Sequence, residues 1–312
     1  MKFYDIAPTN KRAMKIRILT FILLSLNLSF AFSQSSSTEI WLVDLGTKDG
    51  KQITGTPIRV TDNDFYDNQP CFSKDGSMIW YASMPDTTQS DIYSYNLKTK
   101  EIKQVTSTPE SEYQPYPIPF YKDKLSIVRV DMDRAQRFYE LSFDGSEPAL
   151  LIPNEDSVAY YCWMNDTTLG TYMLNGGGGS LQQFDLIPQQ SIILMQYGGF
   201  GRCLAKIPGS ANLSYVLKNS DGKYVLTKFD FVSQERMPLA EMPGEIEDYC
   251  WSPDMKVYIG KEGKLFCLDT RNENSKWVEV ADFSKTVGTF YRLAMSPKGD
   301  KIALVSYKGL RP

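Results

Sequence analysis

Histidine is absent from this chain of 312 residues. Its absence excludes Ser-His-Asp triads, Cys-His dyads, histidine general bases and zinc sites with histidine ligands. The sequence also lacks the G-x-S-x-G motif of a nucleophilic serine and the C-x-x-C spacing of many metal sites. No recognisable catalytic motif is left, which favours a non-catalytic protein.

An excess of positive charge is also missing. The chain has 34 Lys and Arg residues against 37 Asp and Glu residues, so its net charge is −3. Nucleic acids and anionic membranes attract strongly basic surfaces, and this composition does not provide one. We therefore expect no nucleic-acid partner.

Cysteine is scarce and odd in number. With five cysteines at least one is unpaired. Cys71, Cys162 and Cys250 each come one residue before an aromatic residue, which is typical of small residues in a repeated core position. If a disulfide forms at all, Cys203 and Cys250 are the best candidates, because they belong to neighbouring units of the repeat described below.

No apolar run reaches the ~20 residues that a membrane span needs. An apolar stretch over residues 18–32, interrupted by Ser25, Asn27 and Ser29, follows the basic residues Lys11, Arg12, Lys15 and Arg17. Ala31-Phe32-Ser33 lies at its end. This pattern predicts a signal peptide over residues 1–33 and a periplasmic or secreted protein. An uncleaved anchor is the alternative, and Met14 is an alternative start. A lipoprotein anchor is not expected, because no cysteine follows before Cys71.

A repeat with a period of about 44 residues organises the rest of the chain. Trp251 and Met295 are 44 positions apart, and equal steps back from Trp251 reach Ile207 and Trp163. Phe72 begins the series, and residues 113–123 supply the missing unit before Trp163. Six units of this length, each made of short strands, predict an all-β, six-bladed β-propeller.

The two ends of the repeat region complement each other. Residues 39–45 and 57–61 resemble the third and fourth strands of a unit, whereas residues 293–307 resemble a first and a second strand. We predict that they form one mixed blade, because closure removes the free sheet edges of an open array. Residues 34–312 are expected to form this single propeller domain.

The repeat motif resembles that of the TolB-type propellers. Trp251-Ser252-Pro253-Asp254 and Met295-Ser296-Pro297-Lys298-Gly299-Asp300 are similar to their Trp/Phe-Ser-Pro-Asp-Gly-Lys sequence, and Phe72-Ser73-Lys74-Asp75-Gly76 resembles its front half. The resemblance implies an exported six-bladed propeller that acts as a binding scaffold in the cell envelope. TolB proteins carry an α/β domain before the propeller. Here only a few residues separate the leader from the first strand, so we expect the propeller alone.

The candidate site is the mouth of the central channel. In a propeller the residues shortly before each repeated aromatic position line this mouth, and those windows also contain Gln69, Tyr113, Gln114 and Tyr291. The candidate ligand-binding residues are Asp67, Asn68, Glu112, Tyr160, Arg202, Glu247, Asp248 and Arg292. Side chains of both charges and tyrosines suit a small polar ligand, a peptide end or a divalent ion. Alternatively, these charges pair with one another around an ordinary channel.

Two functional hypotheses follow. The first is a non-catalytic exported propeller, monomeric and without a cofactor, that binds an envelope protein or a small polar ligand and has no integral membrane segment in its mature form. The second is an enzyme, similar to lactonases or lyases, that uses carboxylates and Ca²⁺ at the same mouth.

Overall fold

The structure is a computed structural model. It describes residues 37–308 except 87, 176–177, 197–199 and 273. The signal peptide predicted over residues 1–33 lies outside the described residues. Within the described residues the regular secondary structure is all β, without a helix, and none of their segments is a helix suited to crossing a membrane.

The strands form six antiparallel sheets, which are the blades of the propeller. Three strands come before the first complete blade: β1 (Thr38–Lys48), β2 (Lys51–Thr54) and β3 (Ile58–Arg59). Blade 1 contains β4 (Tyr66–Phe72), β5 (Met78–Met84), β6 (Asp91–Asn96) and β7 (Ile102–Gln104). Blade 2 contains β8 (Ser111–Pro117), β9 (Lys124–Val130), β10 (Gln136–Ser142) and β11 (Ala149–Leu150). Blade 3 contains β12 (Val158–Trp163), β13 (Thr168–Asn175), β14 (Gly178–Asp185) and β15 (Gln190–Gln196).

The remaining blades continue the pattern. Blade 4 contains β16 (Phe200–Lys206), β17 (Leu213–Lys218), β18 (Tyr224–Phe229) and β19 (Arg236–Glu241). Blade 5 contains β20 (Cys250–Trp251), β21 (Lys256–Lys261), β22 (Lys264–Asp269) and β23 (Val278–Asp282). Blade 6 begins with β24 (Phe290–Met295) and β25 (Lys301–Tyr307). In blades 1 to 5 each strand pairs with the next along the chain.

Blade 6 closes the ring by joining the two ends of the described chain. Its order is β24, β25, β1 and β2, and β3 also pairs with β1. The β1–β25 pairing is antiparallel and runs from Thr38 opposite Tyr307 to Asp44 opposite Lys301. The predicted six-bladed propeller with one mixed blade is confirmed.

The Ser-x-Asp-Gly segments of the repeat form the turns between first and second strands. In blade 1 the Ser73 hydroxyl donates to Asp75 Oδ1 at 2.6 Å, and Gly76 has a φ of 77°. Gly299 has a φ of 72° at the equivalent point of blade 6, where glycine avoids the clash of a Cβ atom. Blade 5 places Met255 there with a φ of 66°. The motif recurs because its residues specify the geometry of these turns.

Apolar side chains fill each gap between neighbouring blades. Between blades 5 and 6, Tyr258 and Leu265 pack with Trp41 and Ile302. Equivalent clusters occupy the other five gaps of the described ring. Each blade thus buries both faces, which an isolated four-stranded sheet cannot do.

The five cysteines are all free. The Cys203 thiol donates to the Tyr249 carbonyl oxygen at 3.3 Å and forms no disulfide with Cys250. Burial raises the pKa of Cys203 to about 12. The interpretation of these cysteines as small residues within the fold is therefore the one that the structure supports.

Candidate functional site

Irregularities in the innermost strands aim side chains at the propeller axis. In blade 1 the strand register shifts between Asn68 and Cys71, and Gln69 has a φ of 55°. In blade 2 the register shifts in the same way after Tyr113, and Gln114 has a φ of 53°. Such β-bulges turn side chains away from the regular alternation of a strand.

A cavity of about 270 Å³ lies where these strands converge. We call it the central pocket. Its polar lining includes one residue from each of the six blades: Gln69, Gln114, Tyr160, Arg202, Asp248 and Arg292. Its volume is near the lower end of the ~300–1,000 Å³ that is usual for small-ligand sites.

Two arginines of the pocket share one carboxylate. Arg202 Nη2 donates to Asp248 Oδ2 at 2.8 Å, and Arg292 Nε lies 3.5 Å from Asp248 Oδ1. Arg292 Nη1 donates to Asn68 Oδ1 at 2.9 Å, and Asn68 Nδ2 donates to the Tyr291 hydroxyl at 2.5 Å. One continuous network therefore connects blades 4, 5, 6 and 1.

The aromatic ring of Tyr291 stabilises the positive charges of this network. The guanidinium carbons of Arg202 and Arg292 lie 5.7 Å and 5.9 Å from the centre of the Tyr291 ring. Burial alone would lower the pKa of Arg292, but Asp248 and the nearby tyrosines outweigh it and hold that pKa above its ordinary value. Burial raises the pKa of Tyr291. Both arginines are therefore charged and the tyrosine is neutral at physiological pH.

Two polar atoms of the pocket lining are buried and have no partner among the described residues: Gln114 Oε1 and Arg202 Nε. The orientation of the Gln114 amide is set because its Nε2 donates to the Tyr161 carbonyl oxygen at 2.9 Å. Two residues of the pocket lining thus contain one acceptor and one donor that the described protein atoms leave unpaired. Such atoms are costly unless a water or a ligand pairs with them.

The structure brings most of the predicted residues to this place. Asn68, Arg202, Asp248 and Arg292 belong to the network, and Tyr160 lines the central pocket. Glu247 lies beside it, in an adjoining depression that Arg202 and Asp248 also line. Whether these residues bind a ligand stays a prediction.

Asp67 and Glu112 do not line the central pocket, and their role in ligand binding stays a prediction. Asp67 is buried on the opposite side of its strand from Asn68 and accepts from the Ser83 hydroxyl at 2.6 Å. Glu112 is the equivalent residue of blade 2 and accepts from the Thr108 hydroxyl at 3.0 Å. Successive side chains of a strand point to opposite faces, and these two bond to hydroxyls outside the pocket lining. Burial raises the pKa of Asp67, and it raises the pKa of Glu112 to about 7.

The two glutamines are the pocket residues that the sequence analysis did not select. Gln69-Pro70 and Gln114-Pro115 occupy equivalent places in blades 1 and 2. The repeated Gln-Pro pair was the available signal. Glutamine is neutral and common on protein surfaces, so a single glutamine does not by itself indicate a binding site.

The central pocket does not fit Ca²⁺. Asp248 is the one carboxylate in the described lining, and both of its oxygens face arginines. Ca²⁺ takes about six to eight oxygen ligands, several of them usually carboxylates. In the described part of the chain no group of three or more His, Cys, Asp or Glu side chains could hold a metal ion. We therefore derive no chemistry through Ca²⁺.

Comparison with known proteins establishes the fold. No protein-family model matches the chain, and no curated protein is similar enough in sequence to count as a relative. Solved structures do match. A putative TolB from Agrobacterium tumefaciens has a TM-score of 0.67 at 13% identity, over 87% of this chain and 98% of its own. TolB from Acinetobacter baumannii has a TM-score of 0.55 at 12% identity, over 96% of this chain and 71% of its own.

An enzyme shares the architecture. Oligogalacturonate lyase from Vibrio parahaemolyticus has a TM-score of 0.53 at 13% identity, over 87% of this chain and 88% of its own. At such identities the likeness shows the fold alone. The chain therefore has the TolB-like propeller fold that its repeat motif predicts, and its function has to be argued from its own residues.

Proposed function

We propose that this chain is a non-catalytic binding protein of the cell envelope, and that its binding site is the central pocket. The observation that carries the proposal is the pair of buried pocket atoms without a protein partner, Gln114 Oε1 and Arg202 Nε. A bound group would satisfy both atoms, because one needs a donor and the other an acceptor.

The charges of the pocket favour binding over catalysis. A general base needs an oxygen or nitrogen that is free to take a proton. Asp248 pairs with two guanidinium groups, which occupy both of its oxygens. The two arginines are suited to holding an anionic group in place.

The envelope location and the state of the protein are parts of the same proposal. The predicted leader over residues 1–33 and the TolB-like fold support export to the periplasm or the exterior. We propose that the mature chain, residues 34–312, is a monomeric propeller that binds an envelope protein or a small polar ligand without a cofactor.

A ligand screen on the full chain tests this function. A library of small polar compounds is assayed by ligand-observed NMR against the wild type and the Arg202→Gln variant. The matched control is Arg271→Gln, because Arg271 is exposed and is also paired with an aspartate, Asp269, but does not line the pocket. We expect binders that the Arg202→Gln variant loses and the Arg271→Gln variant keeps.

Two results contradict the proposal. In the first, every binder is retained by the Arg202→Gln variant. In the second, the wild type cleaves oligogalacturonate or a lactone and the Arg202→Gln variant does not. The second result establishes an enzyme at the same pocket.

A further inference from the structure

The charged lining of the central pocket has a surplus of positive charge. Arg202, Lys206 and Arg292 line it together with one carboxylate, that of Asp248. Two of these cations share the carboxylate, so one guanidinium charge beside it is not neutralised. A partly enclosed site weakens solvent screening, and such a surplus attracts an anion.

Each of the two arginines keeps a donor that the network does not use. Arg202 uses Nη2 for Asp248, while its Nε has no acceptor among the described residues. Arg292 uses Nη1 for Asn68 and Nε for Asp248, and no described residue accepts from its Nη2. Guanidinium donors form strong, charge-assisted hydrogen bonds with the oxygens of a carboxylate.

Gln114 of the pocket lining has an acceptor that needs a donor. Gln114 Oε1 is an acceptor, because the Nε2 atom of the same amide already donates to Tyr161. Gln114 is 8% exposed, so bulk water has little access to this oxygen. The group that pairs with it must carry an N–H or an O–H.

The adjoining depression limits the number of negative charges that a ligand of the central pocket can carry. It is lined by Glu245, Glu247 and Glu262 with one lysine, Lys261, and it meets the pocket at Arg202 and Asp248. A long polyanion that left the pocket here would place its further charges against three carboxylates. Like charges at short range are repulsive, so a ligand with a single negative charge is favoured.

We propose that the central pocket binds a small ligand, or the end of a larger one, with a single carboxylate and a hydrogen-bond donor next to it. The carboxylate faces Arg202 and Arg292, and the donor faces Gln114. This inference rests on the proposed function. Two sources have this chemistry: the C-terminus of a peptide, with its last amide N–H, and a sugar acid, with a hydroxyl beside its carboxylate.

Paired probes test the charge requirement on the wild-type full chain. Acetyl-alanyl-alanine is compared with its C-terminal amide, and glucuronate is compared with glucuronamide, by isothermal titration calorimetry. Loss of a charge-assisted hydrogen bond should weaken binding by roughly tenfold or more, so each carboxylate should bind better than its amide. Whichever pair shows binding identifies the source as peptide or sugar acid.

Variants test the position of the carboxylate. Arg202→Gln should weaken binding of the better carboxylate probe by roughly tenfold, and Arg271→Gln should not change it. Asp248→Asn removes the competing negative charge and should strengthen binding by roughly threefold or more. A purely structural role of Asp248 gives the opposite result, because its loss would then loosen both arginines and weaken binding.

The outcomes separate this inference from the proposed function. If amides bind as well as carboxylates, or if the library screen finds only neutral or cationic pocket ligands, the carboxylate inference is wrong and the binding function stands. If Asp248→Asn weakens binding, the inference is also wrong. If neither the paired probes nor the library yields a pocket ligand, both fail.

Discussion

Neighbouring residues of one strand have different partners in this molecule, because their side chains lie on opposite faces of the strand. Asn68 contacts Arg292 at the axis, whereas Asp67, one position earlier, is buried against Ser83. The sequence shows both as polar residues in the same window before Phe72. Only the strand alternation and the bulge at Gln69 decide which of them joins the network of the pocket arginines.

Burial of the Glu112 carboxylate should make the stability of the fold depend on pH. Burial raises its pKa from the ordinary 4.5 to about 7, although hydroxyls of Thr106 and Thr108 act in the opposite direction. Between these two pH values the folded chain holds a proton that the unfolded chain has released. Stability should therefore fall as the pH rises from 5 to 8.

The Glu112→Gln variant isolates this effect, because glutamine is neutral throughout. We expect the free energy of unfolding of the wild type, relative to the variant, to drop by up to about 3 kcal/mol between pH 5 and pH 8. Chemical denaturation at several pH values measures it. Parallel stability curves for the two proteins would show that Glu112 ionises normally in the fold.

At the scale of strands, glycine sets how closely two blades approach. A Cβ atom added to Gly260 of β21 would lie 2.6 Å from the carbonyl oxygen of Phe290, in the next blade. Backbone atoms cannot move aside cheaply, so Gly260→Ala should destabilise the fold by about 2 kcal/mol or more.

Gly46 of β1 provides the matched comparison for this prediction. A Cβ atom there would meet only Ile53, at an ordinary contact distance of 3.5 Å. Gly46→Ala should therefore be close to neutral, within about 0.5 kcal/mol. Denaturant unfolding of both variants checks the difference. Equal effects would mean that the close approach of blades 5 and 6 does not depend on Gly260.

The strands and turns were predictable because the repeat contains their local signals. Short apolar runs and turns that begin with serine, as at Ser73, Ser252 and Ser296, recur along the repeat and specify strands and turns locally. Blade 4 has only Pro208-Gly209 of this motif. The sequence therefore aligns Ile207 with Trp251. In the structure the Ile207 N–H donates to the Asn212 carbonyl oxygen, as the Ser252 N–H donates to that of Lys256, so Ile207 is equivalent to Ser252. The residue equivalent to Trp251 is then Lys206.

An alignment error of one position matters more for the site than for the fold. A shift of one position in the alignment still predicts the correct blade. It assigns to the axis the side chains that point away from it, because successive residues of a strand face opposite sides. The sequence correctly indicated a mixed cluster of charges at the axis. It could not indicate that Asp67 and Glu112 are absent from the cluster, or that two uncharged glutamines complete it.

At the scale of the whole molecule, closure depends on β1. This strand covers β25 along seven paired positions, from Thr38 to Asp44. Deleting residues 38–61 should leave β25 as an exposed apolar edge and cause aggregation or a lower Tm, because unpaired edges recruit other strands.

A peptide of residues 38–61, added in trans, is the control for this deletion. It should restore the monomer by pairing with β25, and size-exclusion chromatography with thermal unfolding measures both states. A truncated chain that stays monomeric and as stable as the full chain contradicts closure by β1.

The central pocket exists only in the closed ring, because each of the six blades supplies one of its polar residues. Its role as a binding site for a single carboxylate is the central claim. The most direct test is a crystal structure of the full chain with the carboxylate probe that binds best. The account predicts the carboxylate against Arg202 and Arg292, with the donor of the probe bonded to Gln114. A probe bound elsewhere, with only water in the central pocket, would contradict it.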